Sequence, residues 1–181
     1  MHHWKVSRVG IVVLAAISTH WYLVSPQGAK RGPMIETWQT SADDLRIRIT
    51  AYKEEGVYLP GTYYVFESTA MGTDRFTEFM VFRHDDRPGI PRDQVRFVDK
   101  AVCYVFMGWI YAVTTDGGAK WSTWNAKEDL PGWRCCNYRL ISRIEMSTTG
   151  EGSMKLNPIT GRPGESAELR TQDFGRRWTI R

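Results

Sequence analysis

The stretch TTDGGAKW, from Thr114 to Trp121, is matched later in the chain by TQDFGRRW, from Thr171 to Trp178. In the first copy, Asp-Gly-Gly lies between two runs of strand-forming residues, and glycine takes at no steric cost the positive φ that a tight hairpin needs. An Asp side chain accepts hydrogen bonds from the backbone of its own turn. The shared pattern therefore predicts two hairpins, each closed by a Trp that packs over its turn, with these fixed positions: Thr114, Asp116, Gly118, Trp121, Thr171, Asp173, Gly175 and Trp178.

Strand patterns fill the chain around the first octapeptide. LRIRITAY (45–52) alternates apolar and polar residues with a period of two, which is typical of a half-buried strand. In the apolar run 101–115, Gly108 indicates either a tight bend between two strands or a bulge within one. Aromatic residues make up 13% of the chain and suit pleated sheets better than helices. We expect an all-β domain of two or three antiparallel sheets.

An apolar run at residues 9–24 follows four basic or histidine side chains and precedes any acidic residue. This order is typical of an export signal. As a helix the run would reach about 24 Å, which is short of the roughly 30 Å hydrocarbon core of a bilayer. We therefore predict an apolar helix that serves as a signal peptide or membrane anchor over residues 1–28, a linker over 29–40 and the all-β domain over 41–181. The expected location is the periplasm, either free or anchored to the inner membrane through residues 9–24.

The distribution of charge argues against a nucleic-acid partner. The net charge is +4, but residues 1–34 carry four basic side chains and no acid, and the remaining 147 residues carry 20 of each sign. A duplex-binding surface needs an excess of positive charge on one face of the folded domain. We expect no nucleic-acid binding.

The three cysteines, Cys103, Cys135 and Cys136, contain no C-x-x-C pair, and neither zinc nor thioredoxin-type chemistry is indicated. In an oxidising compartment Cys103 could pair with either Cys135 or Cys136, and one thiol would remain over. Only one of the four histidines, His84, lies in the folded body. We predict no metal site and no cofactor.

The pattern Ser/Thr-x-Asp-x-Gly-x-x-Trp resembles the Asp-box, also called the BNR repeat, of sialidase-type β-propellers and related non-enzymatic propellers. The two copies begin 57 residues apart, close to the length of one propeller blade with insertions. About 150 residues follow the N-terminal segment, which is enough for three blades, whereas closed propellers have at least four. The resemblance implies a partial-propeller or sandwich-like arrangement, or an association of chains. It also implies a structural role for the eight fixed residues, because Asp-boxes lie away from the active site.

The sequence shows no catalytic pattern. A sialidase would need an arginine cluster, a Tyr–Glu pair and an acidic proton donor, and the family's Arg-Ile-Pro signature is absent; GIPRD (89–93) has those letters in another order. A glycosidase needs two carboxylates across one bond, and nothing in the spacing of Asp85, Asp86, Asp99 or Glu145 marks such a pair. We therefore expect a binding protein and not an enzyme.

Residues 95–180 are similar to the immunity proteins that protect bacteria against type VI secretion lipase effectors. The similarity depends on the two octapeptides, on the strand–turn–strand ISRIEMSTTGEGSMKL (141–156) and on the signal-like N-terminus. It implies that the chain binds and neutralises a toxin protein in the periplasm. Two alternatives stay open: a glycan- or envelope-binding Asp-box module that uses exposed aromatic residues such as Trp124 and Trp133, and a sialidase-type glycosidase.

Overall fold

The computed structural model describes residues 30–90, 92–130, 139–158 and 166–181, which form three four-stranded antiparallel sheets. The expectation of an all-β fold built from antiparallel sheets is confirmed. The strands follow one another within each sheet in chain order. Their bounds are β1 Lys30–Ala42, β2 Leu45–Glu55, β3 Thr62–Ser68 and β4 Thr77–His84 in the first sheet; β5 Val95–Phe97, β6 Cys103–Met107, β7 Ile110–Thr114 and β8 Ser122–Asn125 in the middle sheet; and β9 Arg139–Met146, β10 Gly152–Pro158, β11 Ala167–Thr171 and β12 Thr179–Ile180 in the third sheet.

Helical structure in the described ranges is limited to a 3-10 turn at Arg92–Gln94 and to the short helix α1, Ala126–Asp129. The α1 helix is capped by Asn125, whose side chain accepts a hydrogen bond from the Lys127 backbone N–H. Neither element is long enough or apolar enough to cross a bilayer. The predicted N-terminal helix, over residues 1–28, lies outside the described residues.

The linker predicted over residues 29–40 is wrong from residue 30 onward, because β1 begins at Lys30 and pairs with β2 as far as Ala42. Gly32 and Pro33 suggest an unpaired segment. The structure accommodates them with two register shifts, one between Arg31 and Met34 and one between Met34 and Glu36. Such bulges allow a strand to carry a proline at the edge of a sheet.

Gly108 separates β6 from β7, so the long apolar run is two strands that meet at a tight turn. Its φ is +61°, and a Cβ atom at this position would lie 2.8 Å from Cε2 of Phe82. Glycine is needed here both for the backbone conformation and for the close approach of the first sheet.

The middle sheet is apolar on both faces and lies between the other two. One core cluster joins it to the first sheet and includes Ile47 and Phe66 with Val105. The second cluster joins it to the third sheet and includes Tyr111 with Leu156. All residues of β6 and β7 are buried. Their continuous apolar sequence follows from this position, because a strand covered on both sides has no polar face.

The outer faces of the first and third sheets carry charged side chains. On the first sheet Arg48 donates two hydrogen bonds to Glu67, at 2.8 and 2.9 Å. On the third sheet Lys155 and Glu168 are exposed and lie opposite each other on β10 and β11. The stack therefore ends in a charged face on both sides.

The turns of the three sheets are sorted between two ends of the stack. We call one the octapeptide end; its turns lie at residues 43–44, 69–76, 98–102, 115–121, 147–151 and 172–178. The other, which we call the opposite end, contains the described connections 56–61, 85–94 and 108–109 together with α1. The two connections that hold residues 131–138 and 159–165 lie outside the described residues.

Candidate binding surface

The first octapeptide forms the connection between β7 and β8, as its sequence predicts. The Thr114 hydroxyl donates to Oδ1 of Asp116 at 2.9 Å and accepts from the Gly118 backbone N–H at 2.9 Å. The same carboxylate oxygen accepts from the Lys120 backbone N–H at 2.9 Å. The hydroxyl and Oδ1 of the carboxylate thus fix the turn.

The second octapeptide repeats this geometry between β11 and β12. The Thr171 hydroxyl donates to Oδ1 of Asp173 at 2.8 Å and accepts from the Gly175 backbone N–H at 2.9 Å, while Arg177 N donates to Oδ1 at 3.0 Å. Phe174, at φ +60°, stands where the first copy has Gly117, at φ +67°. The two sites agree bond for bond.

Each octapeptide packs against the sheet that precedes it in the chain. Trp121 of the first copy stacks on Phe79 of β4, with ring centroids 3.7 Å apart, and its Nε1 donates to the Ser68 hydroxyl at 2.8 Å. In the second copy, Trp178 meets the Tyr111 ring edge to face at 5.6 Å. The octapeptides therefore fasten neighbouring sheets together, which is a structural role.

A buried carboxylate, Glu54 near the end of β2, organises the opposite end of the first sheet. It is 1% exposed and accepts hydrogen bonds from Arg83 Nε and Nη2, from the Gly61 backbone N–H and from the Tyr63 hydroxyl, the last at 3.0 Å. The hydrogen bonds from Arg83 lower the pKa of Glu54 to about 2. Arg83 uses its remaining Nη1 donor on Asp85, at 2.5 Å.

The Glu54 network includes a Tyr–Glu pair of the kind that a sialidase uses, but its geometry does not suit catalysis. Tyr63 is 5% exposed, and its hydroxyl points at the buried carboxylate. The guanidinium of Arg83 binds two carboxylates of the protein itself. A nucleophile and its base must reach a substrate atom, whereas these groups hold a loop.

The loop that this network holds exposes two adjacent apolar side chains. Tyr58 is 97% exposed and Leu59 is 76% exposed, at the tip of the β2–β3 connection. Glu54 closes the base of the loop twice, because its backbone N–H donates to Gly61 O at 3.0 Å and its carboxylate accepts from Gly61 N at 2.8 Å. We call Tyr58, Leu59 and Pro60 the tip. A pair of large apolar groups presented on a fixed base is typical of a contact surface.

At the same end of the stack, Lys127 of α1 lies over the Trp109 ring, with Nζ 3.1 Å from the ring centroid. Burial lowers the pKa of this amine. Trp109 in turn packs edge to face on Phe82 at 4.9 Å. The cation–π contact thus links the α1 helix to the turn between β6 and β7, and through it to the first sheet.

Several residues predicted from the sequence have other surroundings than expected. Trp124, one of the two aromatic residues considered for glycan stacking, is 5% exposed and packs beside Trp178 in the second core cluster. Trp133, Cys135 and Cys136 lie outside the described residues, so the predicted disulfide stays a prediction. Cys103 is fully buried in β6, and burial raises the pKa of its thiol.

The carboxylates considered for hydrolysis do not converge with a catalytic partner in the described ranges. Asp85 binds Arg83, and Asp99 accepts from the backbone N–H groups of Ala101 and Val102 at 2.7 and 2.8 Å. Glu145 forms an exposed ion pair with Arg143 on the third sheet. A separate, shallow cleft of about 310 Å³ at the octapeptide end is lined by Asp43, Asp44, Arg46, Gly72, Thr73 and Asp74, and the Arg46–Asp74 ion pair at 2.5 Å lies within it.

Among the residues that the structure describes, no group of three or more His, Cys, Asp or Glu side chains is arranged to hold a metal ion.

Sequence reasoning misses both the Glu54 network and the tip. Glu54 and Arg83 are 29 residues apart, so no local pattern connects them. A signal for the tip is present, because Val-Tyr-Leu-Pro follows Gly56 at a predicted turn and places large apolar residues where polar ones are usual. The two octapeptides are recognisable because each is a local structure.

No protein-family model, no curated protein and no solved structure matches this chain.

Proposed function

We propose that this chain is an exported, non-enzymatic binding protein whose partner is another protein. The observation that carries the proposal is the tip, where Tyr58 and Leu59 are 97% and 76% exposed on a loop fixed by buried hydrogen bonds. Tyr is among the residues that supply most of the binding energy at protein interfaces. A preorganised loop also loses little conformational freedom on binding, which favours affinity.

The hydrogen bonds made by the side chains of catalytic type support a binding role over an enzymatic one. Glu54 accepts hydrogen bonds on both carboxylate oxygens, and Asp116 and Asp173 each use Oδ1 to hold the backbone of their own turn. The Tyr63 hydroxyl and the Arg83 guanidinium are engaged in the same way. At the opposite end the described surface offers a partner the two exposed apolar side chains of the tip, beside exposed charged groups such as Asp85.

The test compares the full chain with a double variant, Tyr58→Ala and Leu59→Ala, in binding to proteins extracted from the source organism. We expect one stoichiometric partner that resists salt, because apolar contacts are not screened, and we expect the double variant to lose it. Met71→Ala is the matched control, since Met71 is an exposed apolar residue, 45% exposed, at the octapeptide end. A partner retained equally by the double variant, or no protein retained by any form, would contradict the proposal.

The more specific form of the proposal is a periplasmic immunity protein that neutralises a type VI secretion toxin of the lipase type. It is supported by the similarity of residues 95–180 to that class and by the export-like N-terminal sequence. The partner isolated above should then release fatty acids from phospholipid vesicles. Adding the wild-type chain should stop that release, and adding the double variant should not. A partner without lipase activity would leave the binding role standing and remove the immunity assignment.

A further inference from the structure

Strand β1 is the longest of the described strands, and none of its thirteen residues is buried. It forms one edge of the first sheet, so that in the described part of the chain only β2 pairs with it. The backbone N–H and C=O groups along the outer side of an edge strand are available to another strand. Edge strands of this length are therefore commonly protected by charges, prolines or bulges.

In β1 such protection is concentrated in residues 30–36, where Glu36 also forms an ion pair with Arg92. Lys30, Arg31 and Pro33 lie there, together with both register shifts. The second half, residues 36–42, pairs with β2 through seven consecutive residues without a bulge. Residues 37–42 read TWQTSA and contain no charge, no proline and no glycine. Residues 37–42 therefore form a regular, uncharged and accessible edge.

We propose that residues 36–42 of β1 pair antiparallel with the same residues of a second copy of this chain, so that two first sheets join into one eight-stranded sheet. The inference is independent of the partner protein proposed above, whose contact surface is the tip. It concerns the part of the β1 edge that leads to the octapeptide end, where no other described strand pairs with the outer side of β1.

The side chains of this segment are complementary to themselves when they pair about Gln39. Gln39 then lies opposite its own copy, where two amides can exchange hydrogen bonds. Thr37 lies opposite Ser41 and Trp38 lies opposite Thr40; hydroxyl pairs and aromatic–β-branched pairs both stabilise antiparallel strands. Glu36 lies opposite Ala42, so no like charges meet. This self-complementarity identifies a second copy as the occupant.

Burial in the single chain agrees with this pairing. Trp38 packs against the first core cluster and remains only partly buried. Thr37, Gln39 and Ser41 are exposed on the outer face of β1. A paired strand would cover the free side of Trp38 and would satisfy the outer backbone groups of both copies.

The experiment measures the molar mass of the full chain by light scattering over a range of concentrations, with any detergent contribution subtracted. We expect a dimer for the wild-type chain. Gln39→Lys and Gln39→Glu should each be monomeric, because like charges would lie opposite each other across the two-fold axis. An equimolar mixture of the two variants should restore the dimer through a Lys–Glu pair.

Ser142→Lys is the matched control, because Ser142 is an exposed residue on β9, another edge strand. This variant should stay dimeric, and circular dichroism should show the same β-sheet content for all variants. The proposal is overturned if the wild-type chain is monomeric at every concentration, if Gln39→Lys remains dimeric, or if the mixture of variants stays monomeric.

Discussion

Glu54 is a carboxylate whose side chain has no exposure to solvent and whose oxygens accept hydrogen bonds from three other residues. Burying a charge is costly unless it is paired and hydrogen-bonded. Here the pairing is complete, and it is used to hold the base of a loop that exposes two apolar side chains. The ionised carboxylate therefore connects stability at one residue to the surface that we propose for binding.

Replacing Glu54 with Gln should lower the free energy of unfolding by about 3 kcal/mol at neutral pH, because the Arg83 guanidinium loses its buried counter-ion. The pKa of Glu54 in the folded protein, about 2, lies below its ordinary value of 4.5. The stability that the charge contributes is thus fully present above about pH 4.5 and is lost as the pH falls towards about 2. Urea unfolding across this range should show the difference between wild type and variant shrinking.

Glu67→Gln is the control for this prediction. Its ion pair with Arg48 is partly exposed, and removing such a pair costs less than about 1 kcal/mol. An equal loss of unfolding free energy in Glu67→Gln and Glu54→Gln would show that the buried network contributes no more than an exposed ion pair.

Substituting two glycines that have similar backbone conformations distinguishes the cost of backbone strain from the cost of steric overlap. Gly118 has φ +88°, and a Cβ there would lie 2.7 Å from Cδ1 of Leu45 and closer still to the Thr69 carbonyl oxygen; Gly72 has φ +74° and open space around it. Gly72→Ala should cost about 1 kcal/mol from backbone strain alone. Gly118→Ala should cost at least about 3 kcal/mol, because the strain adds to overpacking between two sheets. Thermal unfolding of both variants measures the difference, and equal costs would contradict the close approach.

At the scale of single elements, the octapeptides show what local sequence can specify. Their Thr, Asp and Gly bond only within eight residues, so the turns can be predicted from the sequence alone. The surfaces that Trp121 and Trp178 cover cannot, because Phe79 and Tyr111 come from strands formed much earlier in the chain. For the same reason most of Lys30–Ala42 resembles a linker in sequence, since only its pairing with β2 makes it a strand.

The buried Thr hydroxyl of each octapeptide should contribute more to the free energy of unfolding than the exposed Ser147 hydroxyl contributes in the turn at 147–151. Thr114→Val and Thr171→Val each leave a glycine N–H without its acceptor, partly buried at Gly118 and buried at Gly175, and an unsatisfied buried donor costs about 1–3 kcal/mol. Ser147 accepts from Glu151 N at 3.2 Å in an exposed turn, so water can replace its hydroxyl in Ser147→Ala. Chemical denaturation should rank the two Thr variants together and well below Ser147→Ala, and a reversed order would contradict the assigned role.

At the scale of the whole molecule, the middle sheet contributes to both core clusters, through Val105 on one face and Tyr111 on the other. The alternation of these two sets along β6 and β7 is not visible as amphipathicity, because both faces are apolar. The sequence therefore indicates strands there without showing how many sheets they separate. The three-layer arrangement depends on contacts between residues far apart in the chain.

Because both cores share the middle sheet, we expect the domain to unfold in a single transition. Ile47→Ala removes packing from the first core and Leu156→Ala from the second, and each should cost about 3 kcal/mol. Circular dichroism and tryptophan fluorescence should report the same midpoint for each variant. Earlier amide exchange confined to the third sheet in Leu156→Ala would show instead that the layers unfold separately.

Because each octapeptide packs on the sheet that precedes it in the chain, the order of synthesis matches the order in which these contacts can form. The first octapeptide closes on the Phe79 and Ser68 side chains of a sheet already synthesised, and the second closes on Tyr111 of the next. Each octapeptide thus closes on a sheet made of residues that precede it in the chain, while the second face of the middle sheet is covered only when the third sheet forms. Synthesis from the amino terminus therefore presents each octapeptide with the residues of its partner sheet before the octapeptide itself has been made.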